Sequence, residues 1–375
     1  MLTHKPTRGP ASFRKQSRLL RLSVLGLALG FALQPVVSTA NWPRGYWTYT
    51  VTDLGSILGA GRIAYAINNP GQIVGEFTDP QGNKHPFLYS GGQIRDLGGL
   101  PGWPDNSARA INDSGEIVGF SYGDTGGNSH AFLFSGGQML DLGQVASLGS
   151  PLATIAINKW GAIAGTSLDS KAGLHGALWY RSTVFQVPNI DFACGINDVF
   201  QMAGFDMLVH SPDVFLYNPW TNQTQDIGAL DPHNENIPWA INNSGQVVGY
   251  TGPLFDSVFY SSPSTDRAFL YSGGGSMRYL GTLGGPASFA WAINDSDEVV
   301  GTSSLSNGDF HAFTYSGNVM TDLNNLAADP SWVLQSANGI NSSGQIVGFG
   351  VHNGVGPSAF LFTPTFHPYP VGLGR

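Results

Sequence analysis

A phrase that a chain repeats to itself limits its fold more than any average property does. Here "AINDSGEIVGF" (110–120) returns almost letter for letter as "AINNSGQVVGY" (240–250). Aligned on the Asn of "AIN", seven copies bring Asn68, Asn112, Asn158, Asn197, Asn242, Asn294 and Asn341 into register, 39 to 52 residues apart. Ile precedes each of these Asn residues, and Ala or Gly precedes the Ile. Seven positions after each Asn comes Gly, from Gly75 in the first copy to Gly348 in the last. Repetition at this period describes a small unit that cannot bury its apolar face alone and stacks on its copies.

Two more blocks follow each "AIN". One runs from "HPFLYSGG" (85–92) and "HAFLFSGG" (130–137) to "SAFLFTPT" (358–365). The other runs from "RDLGGL" (95–100) to "TDLNNL" (321–326), and it occurs only six times after the first block. Its seventh copy, "YTVTDLGSIL" (49–58), lies ahead of the first "AIN". A linear array has no use for a spare strand at one end and a missing one at the other. A ring does. Strands are predicted at 63–68, 72–77, 85–90 and 93–98 in the first repeat. Four-stranded units of this length describe a β-propeller. The expected fold is all-β: a seven-bladed β-propeller of four-stranded blades, its ring closed by the N-terminal strand completing the last blade.

Composition agrees with short strands and tight turns: 51 Gly, 12% aromatic and only 11% charged residues. "AFLFS" and "EIVGF" are nearly continuous apolar runs, as strands covered on both faces require. Blades diverge outward, so Tyr89, Phe134, Trp179, Tyr217, Tyr271, Tyr315 and Phe362 are expected to fill the widening gap. In "INDSG" the Asn side chain can bond its own backbone two residues on, and the Gly can take a positive φ. The seven Asn residues are therefore assigned to turn structure rather than catalysis. Phe200 and Asp297 stand where five repeats have that Gly.

Residues 1–21 carry Lys5, Arg8, Arg14, Lys15, Arg18 and Arg21 without an acid, then comes the apolar run "LSVLGLALGFAL" (22–33) and the small residues Ser38 and Ala40. Basic head, short apolar middle and small-residue exit predict a signal peptide over 1–40, with an uncleaved anchor as the alternative. The propeller domain is then 41–365 and the C-terminal tail 366–375. All 25 acidic residues but only 11 of 17 basic ones lie beyond residue 40, a formal charge of −14. Such a surface argues against nucleic acid, whose binding is driven by Lys and Arg. The one cysteine, Cys194, has no internal disulfide partner.

"YTVTDLG", "AIN" followed by "GQIVG", and the "HAF" triplets at 130–132 and 311–313 resemble the HAF repeats of exported bacterial proteins, over about 48–363. The resemblance implies an extracellular or periplasmic location and a propeller-like repeat. It implies no particular activity.

No HExxH, CxxC, P-loop or EF-hand spacing occurs, and "GFSYG" (119–123) follows a strand and enters a polar loop rather than joining a strand to a helix as a nucleophile elbow must. The second-to-third turns and the links between repeats are long and varied, whereas the other turns are short and uniform. Function favours variable loops on a rigid scaffold. These loops and their edges carry the candidate ligand-binding residues Trp103, Asp105, Asp124, Asp169, Asp256, Tyr260, Asp309 and Trp332. Aromatics beside carboxylates suit a glycan or another envelope protein, and the carboxylates could hold Ca²⁺; no other cofactor is implied. The expected function is thus a binding or interaction module acting through its variable-loop face. The alternatives are a glycoside hydrolase or lyase using two loop carboxylates, and a purely structural surface protein.

Overall fold

The computed structural model describes residues 45–55, 60–123, 129–145, 155–168, 173–206, 213–231, 233–252, 265–275 and 277–368. The expected leader (1–40) lies outside them. Every described element is a strand except a short 3-10 turn at Leu323–Asn325. The protein is all-β and built of four-stranded sheets.

The first repeat sets the pattern, with antiparallel strands Ala60–Ile67, Ile73–Thr78, Lys84–Ser90 and Gln93–Asp96 each hydrogen-bonded to the next. The second runs from Asp105–Ile111 to Gln138–Val145, the fourth from Phe192–Ile196 to Gln223–Asp226, the fifth from Glu235–Ile241 to Met277–Tyr279, and the sixth from Ser288–Ile293 to Val319–Asp322. The third, Ile155–Ile157 to Thr183–Gln186, is joined to the second through the single pair Ser167 and Val145. The seventh repeat has strands Trp332–Ile340, Ile346–His352 and Val355–Pro368 of its own. Its fourth strand is the N-terminal Gly45–Asp53, paired from Gly45 with Pro368 to Asp53 with Phe360. This last pairing extends three residues past the expected domain boundary at 365.

The glycine seven places after each Asn has a steric cause. In six repeats the first strand carries a bulge three residues before the Asn, for example between Ala64 and Ala66 or between Ala108 and Ala110. A bulge places two residues opposite one and turns a carbonyl across the partner strand. At Gly119 a Cβ would collide with the Ser107 carbonyl oxygen and press on the Phe132 ring; at Gly301 it would meet the Phe289 carbonyl and Phe313. Only hydrogen fits there.

Side chains fill the space between sheets. One apolar cluster joins the first and second repeats through Val74, Ala108, Ile117 and Phe132. The others follow in turn to the sixth and seventh, where Val300, Ala312, Leu334 and Phe360 meet. A further cluster packs Val347 and Ala359 of the seventh repeat on Ala64, Ile73 and Phe87 of the first. Phe87, Phe132, Phe269, Phe313 and Phe360, at one position of the third strand, are fully buried, each contributing about 1.5–3 kcal/mol on transfer from water. Of the expected gap-filling aromatics, Phe134, Trp179, Tyr217, Tyr271, Tyr315 and Phe362 are buried.

Candidate functional site

The repeated Asn does more than shape its own turn. Its Oδ1 accepts backbone N–H bonds from two and four residues on, as Asn112 does from Ser114 at 3.1 Å and Glu116 at 3.0 Å. Its Nδ2 reaches out of the repeat. Asn68 donates to the Asn112 carbonyl, Asn112 to Asn158, Asn158 to Asn197, Asn197 to Asn242, Asn242 to Asn294 and Asn294 to Asn341. Asn341 then donates to the Asn68 carbonyl, so the seven bonds, 2.9–3.2 Å long, return to their start. Every one of these Asn residues is buried.

These triplets of Ile, Asn and the following residue line a cavity of about 220 Å³. Around its mouth stand the residues after each Asn: Asn69, Asp113, Lys159, Asp198, Asn243, Asp295 and Ser342. Many are tied to their neighbours. Asp113 accepts the Asn69 backbone N–H at 2.9 Å, Asp198 that of Lys159 at 3.0 Å, and Asp295 that of Asn243 at 2.9 Å. The mouth is a fixed polar rim on the face of the short, uniform turns.

On the same face, repeats three and four carry exposed aromatics. Trp160 is 58% exposed and its indole N–H donates to the Asp198 carbonyl at 2.9 Å. Trp220 is 71% exposed and donates to the Val199 carbonyl at 3.2 Å. Phe200, held at a φ of 67°, lies edge-on to both Tyr180 and Trp220. Sequence reasoning placed function on the opposite, variable-loop face and passed over these residues. The signal was present: "NPWTN" (218–222) replaces the Gly-rich turns of other repeats, and Trp160 stands where four repeats have Ser.

The described members of the expected ligand-binding set are dispersed. Trp103 is half-buried against the second repeat, its ring 4.7 Å from His130. Asp105 accepts the Lys84 backbone N–H at 2.8 Å. Asp309 is exposed and bonds Asn307 within its own turn. Trp332 is only 5% exposed, stacked on His352 with ring centres 4.4 Å apart. It is a core residue of the seventh repeat, a correction to its expected place on a ligand-facing loop. Asp124, Asp169, Asp256 and Tyr260 lie outside the described residues. Among the described residues no three His, Cys, Asp or Glu side chains are grouped to hold a metal ion.

The His that opens the second block has a partner in the third. His85 pairs with Asp96 at 3.0 Å, His130 with Asp141 at 2.9 Å and His311 with Asp322 at 2.7 Å, across adjacent strands. The seventh repeat has Ser358 in that slot, and His352 of the neighbouring strand takes Asp53 instead, at 2.8 Å. Each Asp also accepts a backbone N–H two residues on, as Asp96 does from Gly98. Ser121 of "GFSYG" is buried in its strand and donates to Asn106.

No protein-family model matches the chain, and no curated protein matches it. Among solved structures it is similar to TolB from Acinetobacter baumannii, at 12% identity and a TM-score of 0.44, over 82% of this chain and 67% of that one. It is also similar to the β-propeller domain of the Trilobed protease from Pyrococcus furiosus, at 10% identity and a TM-score of 0.49, over 82% and 97%. A puromycin-hydrolyzing peptidase from Mycobacterium tuberculosis aligns at 12% identity and a TM-score of 0.49, over 82% of this chain and 53% of that one. These likenesses are too remote to assign a family or a ligand.

Two acidic sites are electrostatically unusual. Glu76 is buried between repeats one and two, 2.8 Å from Lys84 and 3.8 Å from Arg109. Burial pushes its carboxyl up, but the two cations more than offset this and hold it below the ordinary range. Arg109 lies 4.0 Å over the Tyr65 ring, and burial pushes the Tyr65 hydroxyl up to about 12. Glu235, opening the fifth repeat, has no such cation among the described residues: burial pushes it up to about 7. Among the described residues no helix is long and apolar enough to cross a membrane.

Proposed function

We propose that the chain is an exported seven-bladed β-propeller, closed by its N-terminal strand, that acts as a binding module for a glycan or another envelope protein. The pairing of Gly45–Asp53 with the last strand and the packing of repeat seven on repeat one support closure. The basic, then apolar, N-terminal segment and the HAF-like repeats support export by a cleaved signal peptide. One observation carries the binding reading. The seven-membered Asn ring fixes a polar mouth, and on the same face two exposed tryptophans are tethered by their indole N–H groups. A rigid scaffold presenting exposed aromatics next to fixed donors and acceptors is arranged to recognise. We place the working surface on the uniform-turn face for this reason.

The test is to produce the full chain in a bacterial host, recover it from periplasm or medium, and pass it over immobilised envelope glycans and envelope proteins. Retention by at least one of them is expected, and an intact mass shortened by the leader. A chain that stays in the cytoplasm, or that no ligand retains, overturns the proposal. The alternative, a carbohydrate-active enzyme, requires two carboxylates about 5–9.5 Å apart in a cleft, for which Glu235 is one candidate member. Turnover of a polysaccharide lost in Glu235→Gln would favour it.

A further inference from the structure

We infer that Trp160 and Trp220 form a stacking platform for a neutral sugar ring; this deepens the binding reading above and rests on it. The repeats supply an internal control. At the position of Trp160 the other copies carry Pro70, Ser114, Val199, Ser244, Ser296 and Ser343, and those turns fold without an aromatic at that position. The third-to-fourth turn is Gly91-Gly92 in the first repeat and Gly136-Gly137 in the second, but Asn218 to Asn222 in the fourth. Where five repeats have Gly, the fourth has Phe200. Three departures from the commonest residues of the repeat meet at one turn.

Their geometry is specific. The two indole N–H groups bond consecutive carbonyls, of Asp198 and Val199, so the rings bracket this turn from neighbouring sheets. With each N–H satisfied inside the protein, the rings remain 58% and 71% exposed without a polar group left unpaired. Phe200 braces Trp220 from a left-handed backbone conformation that costs an L side chain roughly 1–2 kcal/mol. Exposed indoles add nothing to the core, and strain held beside them points to a working surface.

The surroundings select the ligand. Lys159, paired with Asp198 at 3.4 Å, lies over the Trp160 ring, Arg181 stacks on Tyr180, and Asn222 of the Trp220 turn accepts the Tyr217 hydroxyl, so charged and amide groups stand in the turns that carry the rings. A pyranose presents an apolar C–H face to an aromatic ring and, at its edge, hydroxyls that both donate and accept. A protein partner would bury about 800 Å² per side behind a dry apolar centre; the apolar surface here is two rings and Val199 within a charged rim. Lys159 already lies 5.1 Å from the Trp160 ring centre, which leaves a quaternary ammonium ligand little advantage.

Calorimetric titration of the purified protein with hexasaccharides of glucose and of N-acetylglucosamine tests this. Binding of at least one is expected, weakened about tenfold or more in Trp160→Ala and in Trp220→Ala and partly kept in Trp160→Phe and Trp220→Phe. Exposure of both side chains predicts melting temperatures within about 2 °C of the parent. Sugar binding unchanged in both alanine variants overturns the placement and leaves the binding reading intact. Retention only on an envelope protein, lost in the same variants, makes the platform a protein interface and overturns the sugar assignment. Binding to no sugar and no protein removes both.

Discussion

At Gly119 one methyl group would need the space held by the Ser107 carbonyl and the Phe132 ring. Neither neighbour can retreat, since the carbonyl belongs to a bulged strand and the ring is fully buried. Gly119→Ala is expected to destabilise the protein by about 3 kcal/mol. Gly275→Ala, where the nearest atom is 3.9 Å from the added carbon, should change stability by no more than about 0.5 kcal/mol. Chemical denaturation of the two variants beside the parent measures the contrast, and equal losses would refute the steric account. The strictness of this glycine was legible in the sequence; its cause was not, because "SARAIN" shows no mark of an extra residue in the ladder. The repeated Asn divides in the same way. Its local turn bonds follow from the residue type, but the Nδ2 bond to the next repeat depends on how two sheets approach.

Strands were the most legible elements, since periodicity and turn residues located those of the first repeat within one to three residues of their observed ends. The cross-strand His and Asp pairs were hidden, because they join blocks read separately and depend on antiparallel register. Trp103 and Trp332 were placed on a ligand-facing surface for a related reason. Loop membership is visible in sequence, but the folding of a ring back onto His130 or His352 is not. Trp160 and Trp220 could have been found by asking where a repeat departs from its own rule. The strand Glu235–Ile241 carries a prediction of its own. Glu235 moves from an ordinary 4.5 to about 7 in the folded protein, so the fold favours its protonated form. Between those values the folded state binds more protons than the unfolded chain, and stability falls as pH rises. The contribution is full below about 4.5 and lost as pH passes 7. Melting temperature followed from pH 5 to 8 should decline, and less steeply in Glu235→Gln; identical slopes would show that Glu235 does not titrate in this window.

At the scale of the whole molecule, the first described strand completes the sheet of the last repeat, over nine paired residues. Apolar clusters and Asn bonds link each repeat to the next and the seventh to the first. An open array can fray from either end, whereas in the closed ring proposed above no terminal repeat is free. The protein is therefore expected to unfold in one sharp calorimetric transition. A chain starting at residue 56 should melt lower and over a wider range, because the Val355–Pro368 edge and Tyr49 and Val51, packed near Phe362, are lost as partners. An unchanged transition would show that the N-terminal strand is dispensable. The same pairing also sets a schedule. The strand that completes the last sheet is synthesised before every other described strand and its mate after them, so that sheet cannot be assembled until translation has passed residue 368. Until then the Val355–Pro368 partner is missing and the N-terminal strand waits unpaired, so folding during synthesis stops one sheet short of the whole.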